Sequence, residues 1–184
     1  FTVDGFYRPF QDSSDRPFYL VEAQFQPDDN FYYRLFGELF IYLRKYQPLS
    51  PWRIVILYPN RKVERLPLYQ FRELISSDRV KRFYLDELEL GNPPSLALGI
   101  LKLVVEDEIE AVESAKLLIN QAKTQLSEPV TQEDVINLIE TIIINKLPLK
   151  TTKEIETMLD LQDLKQTRVY QEGKEEGLQE GKQE

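Results

Sequence analysis

From Phe18 to Gln26 the side chains fall on two faces: Tyr19, Val21, Ala23 and Phe25 on one, Phe18, Leu20, Glu22, Gln24 and Gln26 on the other. That two-residue period predicts a strand that begins apolar on both sides and turns polar on one side near its end. Phe1–Arg8 alternates in the same way and reads as a preceding strand. Between the two lies the polar turn Gln11-Asp12-Ser13-Ser14-Asp15, bracketed by Pro9 and Pro17. At Phe31 the period changes. Phe31, Leu35, Leu39 and Leu43, joined by Tyr32, Phe36 and Phe40, recur at helical spacing up to Tyr46, after the helix-start run Pro27-Asp28-Asp29-Asn30 and before the breaker Pro48. Trp52–Tyr58 is apolar almost throughout, as a central strand is. Strand, helix and strand then make a βαβ crossover, expected to be right-handed. Residues 64–78 read as a loop and a short helix, and Val80–Leu85 as a further strand.

After Gly91-Asn92-Pro93-Pro94 the periodicity is helical throughout, over about 96–105, 107–126, 131–146 and 151–159. The expected organisation is an α/β core over 1–92, a helical region over 93–160 and a polar tail over 161–184. In the tail Gly173, Gly177 and Gly181 are spaced among Glu, Lys and Gln, which marks a frayed or disordered helix. The core is expected from Val3, Leu20, Val21, Ala23, Leu35, Leu39, Leu43, Val55 and Leu57, with Asp4 and Glu22 at its polar edge.

Composition narrows the chemistry. The 184 residues include no Cys and no His. Thiolate and imidazole metal sites and histidine bases are therefore excluded, and any metal must sit on oxygen, which favours Mg²⁺ with Mn²⁺ possible. No apolar run approaches the roughly 18 residues of a membrane span, so a cytoplasmic protein without membrane contact is expected. The net charge of −8 argues against nucleic acid until its distribution is seen. Residues 1–90 carry 13 basic and 13 acidic side chains, and residues 91–184 carry 10 and 18. Within the first half, residues 31–85 hold 11 basic and only 4 acidic groups. This basic stretch serves either as a solvated mixed surface or as a phosphate-binding one.

The candidate chemistry lies in the first two strands. Glu22 and Gln24 share a face, roughly 7 Å apart along the strand. A hairpin symmetric about Pro9 and Pro17 places Asp4 opposite Glu22, with Cβ atoms about 5 Å apart. A slip of two residues would place it opposite Gln24 instead. Two facing carboxylates repel unless one holds a proton or a cation lies between them. The plainer reading leaves both acids as surface groups at strand ends. On the following helix Arg34 is either part of a solvent face or a phosphate contact. Arg61, Lys62 and Arg65 are candidates for contacts to a DNA duplex backbone.

Val3-Asp4-Gly5, followed by Phe18-Tyr19-Leu20-Val21-Glu22-Ala23-Gln24-Phe25-Gln26, resembles the D…ExK core of the PD-(D/E)XK nuclease superfamily. Over its longer extent the chain resembles the Rpn family of recombination-promoting nucleases, also labelled putative transposases. That extent takes in Phe31–Phe36, Trp52-Arg53, Tyr58-Pro59, Tyr84–Leu88 and Leu161–Tyr170. The resemblance implies a restriction-endonuclease-like mixed sheet. Because the chain opens on Phe1 just before Asp4, it is expected to be a fragment that lacks the first helix and strand of that core. It further implies that Asp4, Glu22 and the carbonyl of Ala23 ligate Mg²⁺, and that the third catalytic position orients the attacking water. The activity implied is DNA endonuclease cleavage linked to recombination or mobile elements. One departure stands out: Gln24 occupies the position where Lys is usual. Gln can hydrogen-bond a water or phosphate, but it carries no charge and accepts no proton. The alternative is therefore an inactive nuclease-fold module for DNA or protein interaction, with the acidic helices assembling a homo-oligomer.

Overall fold

Residues 4–65 and 69–161 are described by a computed structural model; the expectations for Val3 and for the tail beyond Leu161 lie outside them. The chain is α/β; the described residues form a four-stranded mixed sheet and six α-helices, and the chain divides into two units, Phe1–Glu89 and Leu90–Glu184.

In the first unit β1 (Gly5–Tyr7), β2 (Phe18–Ala23), β3 (Trp52–Tyr58) and β4 (Val80–Tyr84) lie side by side in chain order. β1 is antiparallel to β2, and the β2–β3 and β3–β4 pairs are parallel. The 16-residue α1 (Phe31–Tyr46) makes the crossover between β2 and β3. It begins after an Asp28 side chain that accepts the Asn30 N–H, and it ends where Gln47 enters the left-handed region at φ 43°. The polar turn is fastened to the start of β3: Asp12 accepts the N–H groups of Leu49 and Ser50, and Ser13 N–H donates to Ser50 Oγ. A short α2 (Arg72–Ile75) precedes β4.

The core of this unit lies on one face of the sheet. Phe18 and Leu20 of β2, Trp52, Ile54, Ile56 and Tyr58 of β3, and Val80 and Tyr84 of β4 pack with Phe31, Tyr32, Leu35, Phe36, Leu39 and Tyr42 of α1. Each fully buried aliphatic or aromatic side chain here contributes about 1.5–3 kcal/mol. The expected core is corrected in part. Leu20, Leu35 and Leu39 are buried, whereas Val21, Leu43, Val55 and Leu57 are half-buried and Ala23 is exposed. Both faces of β2 and β3 are apolar, and the choice between them falls to the face that meets α1. Glu22, expected at the polar edge, belongs to that covered face and is only 4% exposed.

The second unit comprises α3 (Leu96–Leu103), α4 (Glu108–Gln125), α5 (Pro129–Lys146) and α6 (Thr152–Met158), each packed on the next. Their starts are written locally. Ser95 and Asp107 accept first-turn N–H groups, Pro129 opens α5, and Thr151 with Glu154 forms a reciprocal capping box. Leu103, Ala111, Ala115, Ile119, Ala122, Ile139 and Ile143 fill the core. α3 approaches α4 closely at Gly99, where a methyl group would lie 2.5 Å from Leu118 Cδ2. Gly99→Ala is expected to lower stability by about 1 kcal/mol, as overpacking outweighs the gain in helix propensity. An unchanged melting temperature would show that Leu118 swings aside freely. No described helix is long and apolar enough to cross a membrane.

Candidate functional site

The parallel register sets β2, β3 and β4 with their carboxyl ends on one edge, where α/β sheets commonly bind ligands. Glu22 of β2, Ile56 of β3 and Arg82 of β4 form one row across the covered face, and Tyr58 and Tyr84 lie in the next. The first turn of α1 and the loop after β3 meet beside this edge, where Tyr32 and Tyr84 donate to Glu64.

β1 pairs with β2 through Gly5↔Val21, Phe6↔Leu20 and Tyr7↔Tyr19, and one further step of that register sets Asp4 opposite Glu22. Asp4 extends the ladder with its side chain: Oδ2 accepts the Ala23 N–H at 2.8 Å. Glu22 is buried, and its Oε1 has no hydrogen-bond partner among the described residues. Burial pushes the Glu22 carboxyl above the usual range and the charge of Asp4 adds to the shift, while Arg34 and the Asp4 backbone N–H pull it back only in part. Arg34 Nη1 stands 3.6 Å from Glu22 Oε2, its Nη2 is 3.9 Å from Asp28, and its guanidinium lies 5.5 Å from the Phe31 ring centroid. An orphaned buried carboxylate oxygen beside a second carboxylate is a donor set that fits a hard divalent cation. Among the described residues no group of three or more acidic side chains gathers to hold one. Asp4 and Glu22 are the two carboxylates that the strand register brings together, and Ala23, the last residue of β2, gives its N–H to Asp4.

Of the other expected site residues, the side chains of Gln24, Arg61 and Arg65 are engaged. The Gln24 amide donates to the carbonyl of Gln26, two residues on in its own chain. Arg61 makes a two-pronged ion pair with Glu87 at 2.6 and 2.8 Å and lies 4.1 Å over the Tyr84 ring. Its hydrogen bonds hold the Glu87 carboxyl below the usual range. Arg65 reaches Asp29 at 3.6 Å and donates to the Lys62 carbonyl, and Lys62 itself is exposed. Arg34, Arg61 and Arg65 therefore stand at the carboxyl edge in pairs with acids.

A second polar centre was not read from the sequence. Glu64, with its side chain 5% exposed, accepts hydrogen bonds from Tyr32 at 2.7 Å, Tyr84 at 2.5 Å and Arg82 at 2.9 Å. The Tyr58 hydroxyl donates to that of Tyr32. Burial opposes charge on Glu64, but the hydrogen bonds from Tyr84, Tyr32 and Arg82 outweigh it and hold the carboxyl below the usual range. Burial and the neighbouring Glu64 push Tyr84 up to about 12. The network ties the loop carrying Arg61, Lys62 and Arg65 to the ends of β3 and β4. Its signal in the sequence is a tyrosine at the end of each strand and in the first turn of the helix. Three such hydroxyls buried together need an acceptor.

The family model described as "Protein of unknown function (DUF2887)" matches residues 1–159. No curated protein and no solved structure matches the chain.

Proposed function

The chain belongs to the DUF2887 family, and from the geometry of its sheet edge we propose that it is a Mg²⁺-dependent DNA endonuclease of the PD-(D/E)XK type. The observation that carries this reading is Glu22: a buried carboxylate with one oxygen unsatisfied, set opposite Asp4 by the strand register and faced by Arg34. Asp4 and Glu22 hold the cation with the Ala23 carbonyl. When bound, Mg²⁺ (or Mn²⁺) lowers the pKa of a coordinated water and stabilises charge on a phosphate oxygen. Arg34 contacts the phosphate beside the carboxylates, and the cations of the Glu64-anchored loop, Arg61, Lys62 and Arg65, follow the DNA backbone. These contacts carry no base information, so cleavage has little sequence preference. The Rpn resemblance associates such cleavage with recombination or mobile elements.

A second reading has its own observation. The Gln24 amide is spent on the Gln26 carbonyl, and no Lys stands at that position. That favours a nuclease-fold module that binds DNA or protein without cutting. Incubating a supercoiled plasmid with the chain, in Mg²⁺ and in excess chelator, separates the two. Nicking or linearisation in Mg²⁺ alone is expected. Gln24→Lys, which supplies a positive charge beside the scissile phosphate, preserves or raises the rate. Tight DNA binding with no cleavage by either protein would establish the binding module.

A further inference from the structure

We propose that Arg34 and a divalent cation compete for Glu22, and that the displaced guanidinium is handed to a substrate phosphate, so that cation and DNA bind cooperatively. The inference rests on the reading of Asp4 and Glu22 as cation ligands and concerns how that site is loaded.

Glu22 is a carboxyl almost removed from water, and its charged form is favoured there only beside a positive charge. Arg34 is that partner, yet the contact is loose. At 3.6 Å between Nη1 and Oε2 it is an ion pair without hydrogen-bond geometry, made by a side chain that is 42% exposed. Arg34 also has contacts apart from Glu22. Asp28 Oδ2 is 3.9 Å from its other terminal nitrogen, and the Phe31 ring lies beneath the guanidinium. A guanidinium leaving Glu22 thus keeps an acid and an aromatic face, and its departure costs little. A cation held by Asp4 and Glu22 repels the neighbouring guanidinium, which favours that departure.

The position of Arg34 gives the displaced group somewhere to act. It is the fourth residue of the 16-residue α1, whose amino end favours anions. A phosphate entering beside the cation therefore meets a guanidinium released from its acid. By linkage, whatever the phosphate gains from a freed Arg34 the cation gains in return. Gln24 cannot supply positive charge to the phosphate, and Arg34 stands at the same edge to do so.

Calorimetric titration of the full chain with Mg²⁺ at constant ionic strength tests the competition. Arg34→Gln is expected to tighten cation binding by about tenfold, within the usual range of site–site coupling. Arg34→Lys, which keeps the charge, leaves it within about twofold of the parent. In fluorescence anisotropy, Ca²⁺, which takes the same kind of oxygen donors, tightens binding of a short DNA duplex to the parent more than to Arg34→Gln. Should Arg34→Gln fail to fold, the Nε–Hε resonance of Arg34 in the nitrogen-15-labelled parent reports directly, and it shifts as Mg²⁺ is added. A parent that takes up no cation would refute the cation-site reading itself. A parent that binds Mg²⁺ while Arg34→Gln binds no more tightly, or while the Arg34 resonance stays still, would overturn the competition and leave the cation site standing.

Discussion

Glu22→Gln is expected to lower the proposed Mg²⁺-dependent plasmid cleavage by about 10²–10³-fold or more, the loss seen when a preorganised group aimed at developing charge is removed. Asp4→Asn does the same, and the double variant is no slower than the worse single one. On the proposed reading the two carboxylates share one ion, and removing either forfeits what the ion contributes, so the losses are not expected to add. Gln24→Ala costs less than loss of either carboxylate, because the Gln24 amide makes a contact within its own strand segment. The fold survives Glu22→Gln. The substitution removes a buried charge that Asp4 repels, and its partner Arg34 is exposed enough to be solvated on its own. An unchanged or raised melting temperature is therefore expected alongside the lost activity. If Glu22→Gln cut DNA as fast as the parent, with contaminating nuclease excluded by a mock purification, the assignment of this site would be wrong.

The largest loss of stability is expected at Glu64. Glu64→Ala leaves the Arg82 guanidinium and the hydroxyls of Tyr32 and Tyr84 without their shared acceptor. Breaking a buried ion pair in this way costs about 3–5 kcal/mol, and the partial exposure of Arg82 places the expectation at the lower end. Tyr84→Phe removes one hydrogen bond to a charged group and costs about 1.5–3 kcal/mol. Trp52, the only tryptophan, is buried in the first unit, so its fluorescence in urea follows this unit. The pH dependence has a definite sign. The folded-state pKa of Glu64 is depressed, so its contribution is fully present above the unfolded glutamate value of about 4.3. It is lost as the pH falls through the lower folded value. The stability gap between parent and Glu64→Ala should therefore be wide at pH 7 and shrink below about pH 4.3. A gap equally wide at pH 3 would show that packing, rather than the charged network, supplies the difference.

The local elements were legible because each depends on spacing within one segment. The alternation in Phe18–Gln26 became β2, the helical period from Phe31 became α1 over its expected span, and Trp52–Tyr58 became β3. The four later helices lie close to where periodicity set them. The hairpin register was legible too, since prolines placed symmetrically about the turn bring Gly5 to Val21 and hence Asp4 to Glu22. The buried face of the sheet was not. β2 offers Phe18 and Leu20 on one side and Tyr19 and Val21 on the other, and α1 covers only the first. That choice took Glu22 from a polar edge into the core and made its unpaired oxygen the centre of the candidate site. Nor could the sequence pair Arg34 with Glu22, Arg61 with Glu87, or Glu64 with three tyrosine and arginine donors from other elements. A period records which side of its own helix or strand a residue faces. Partners brought together across a sheet or over a loop leave no such trace, because their meeting is decided by how the elements stack.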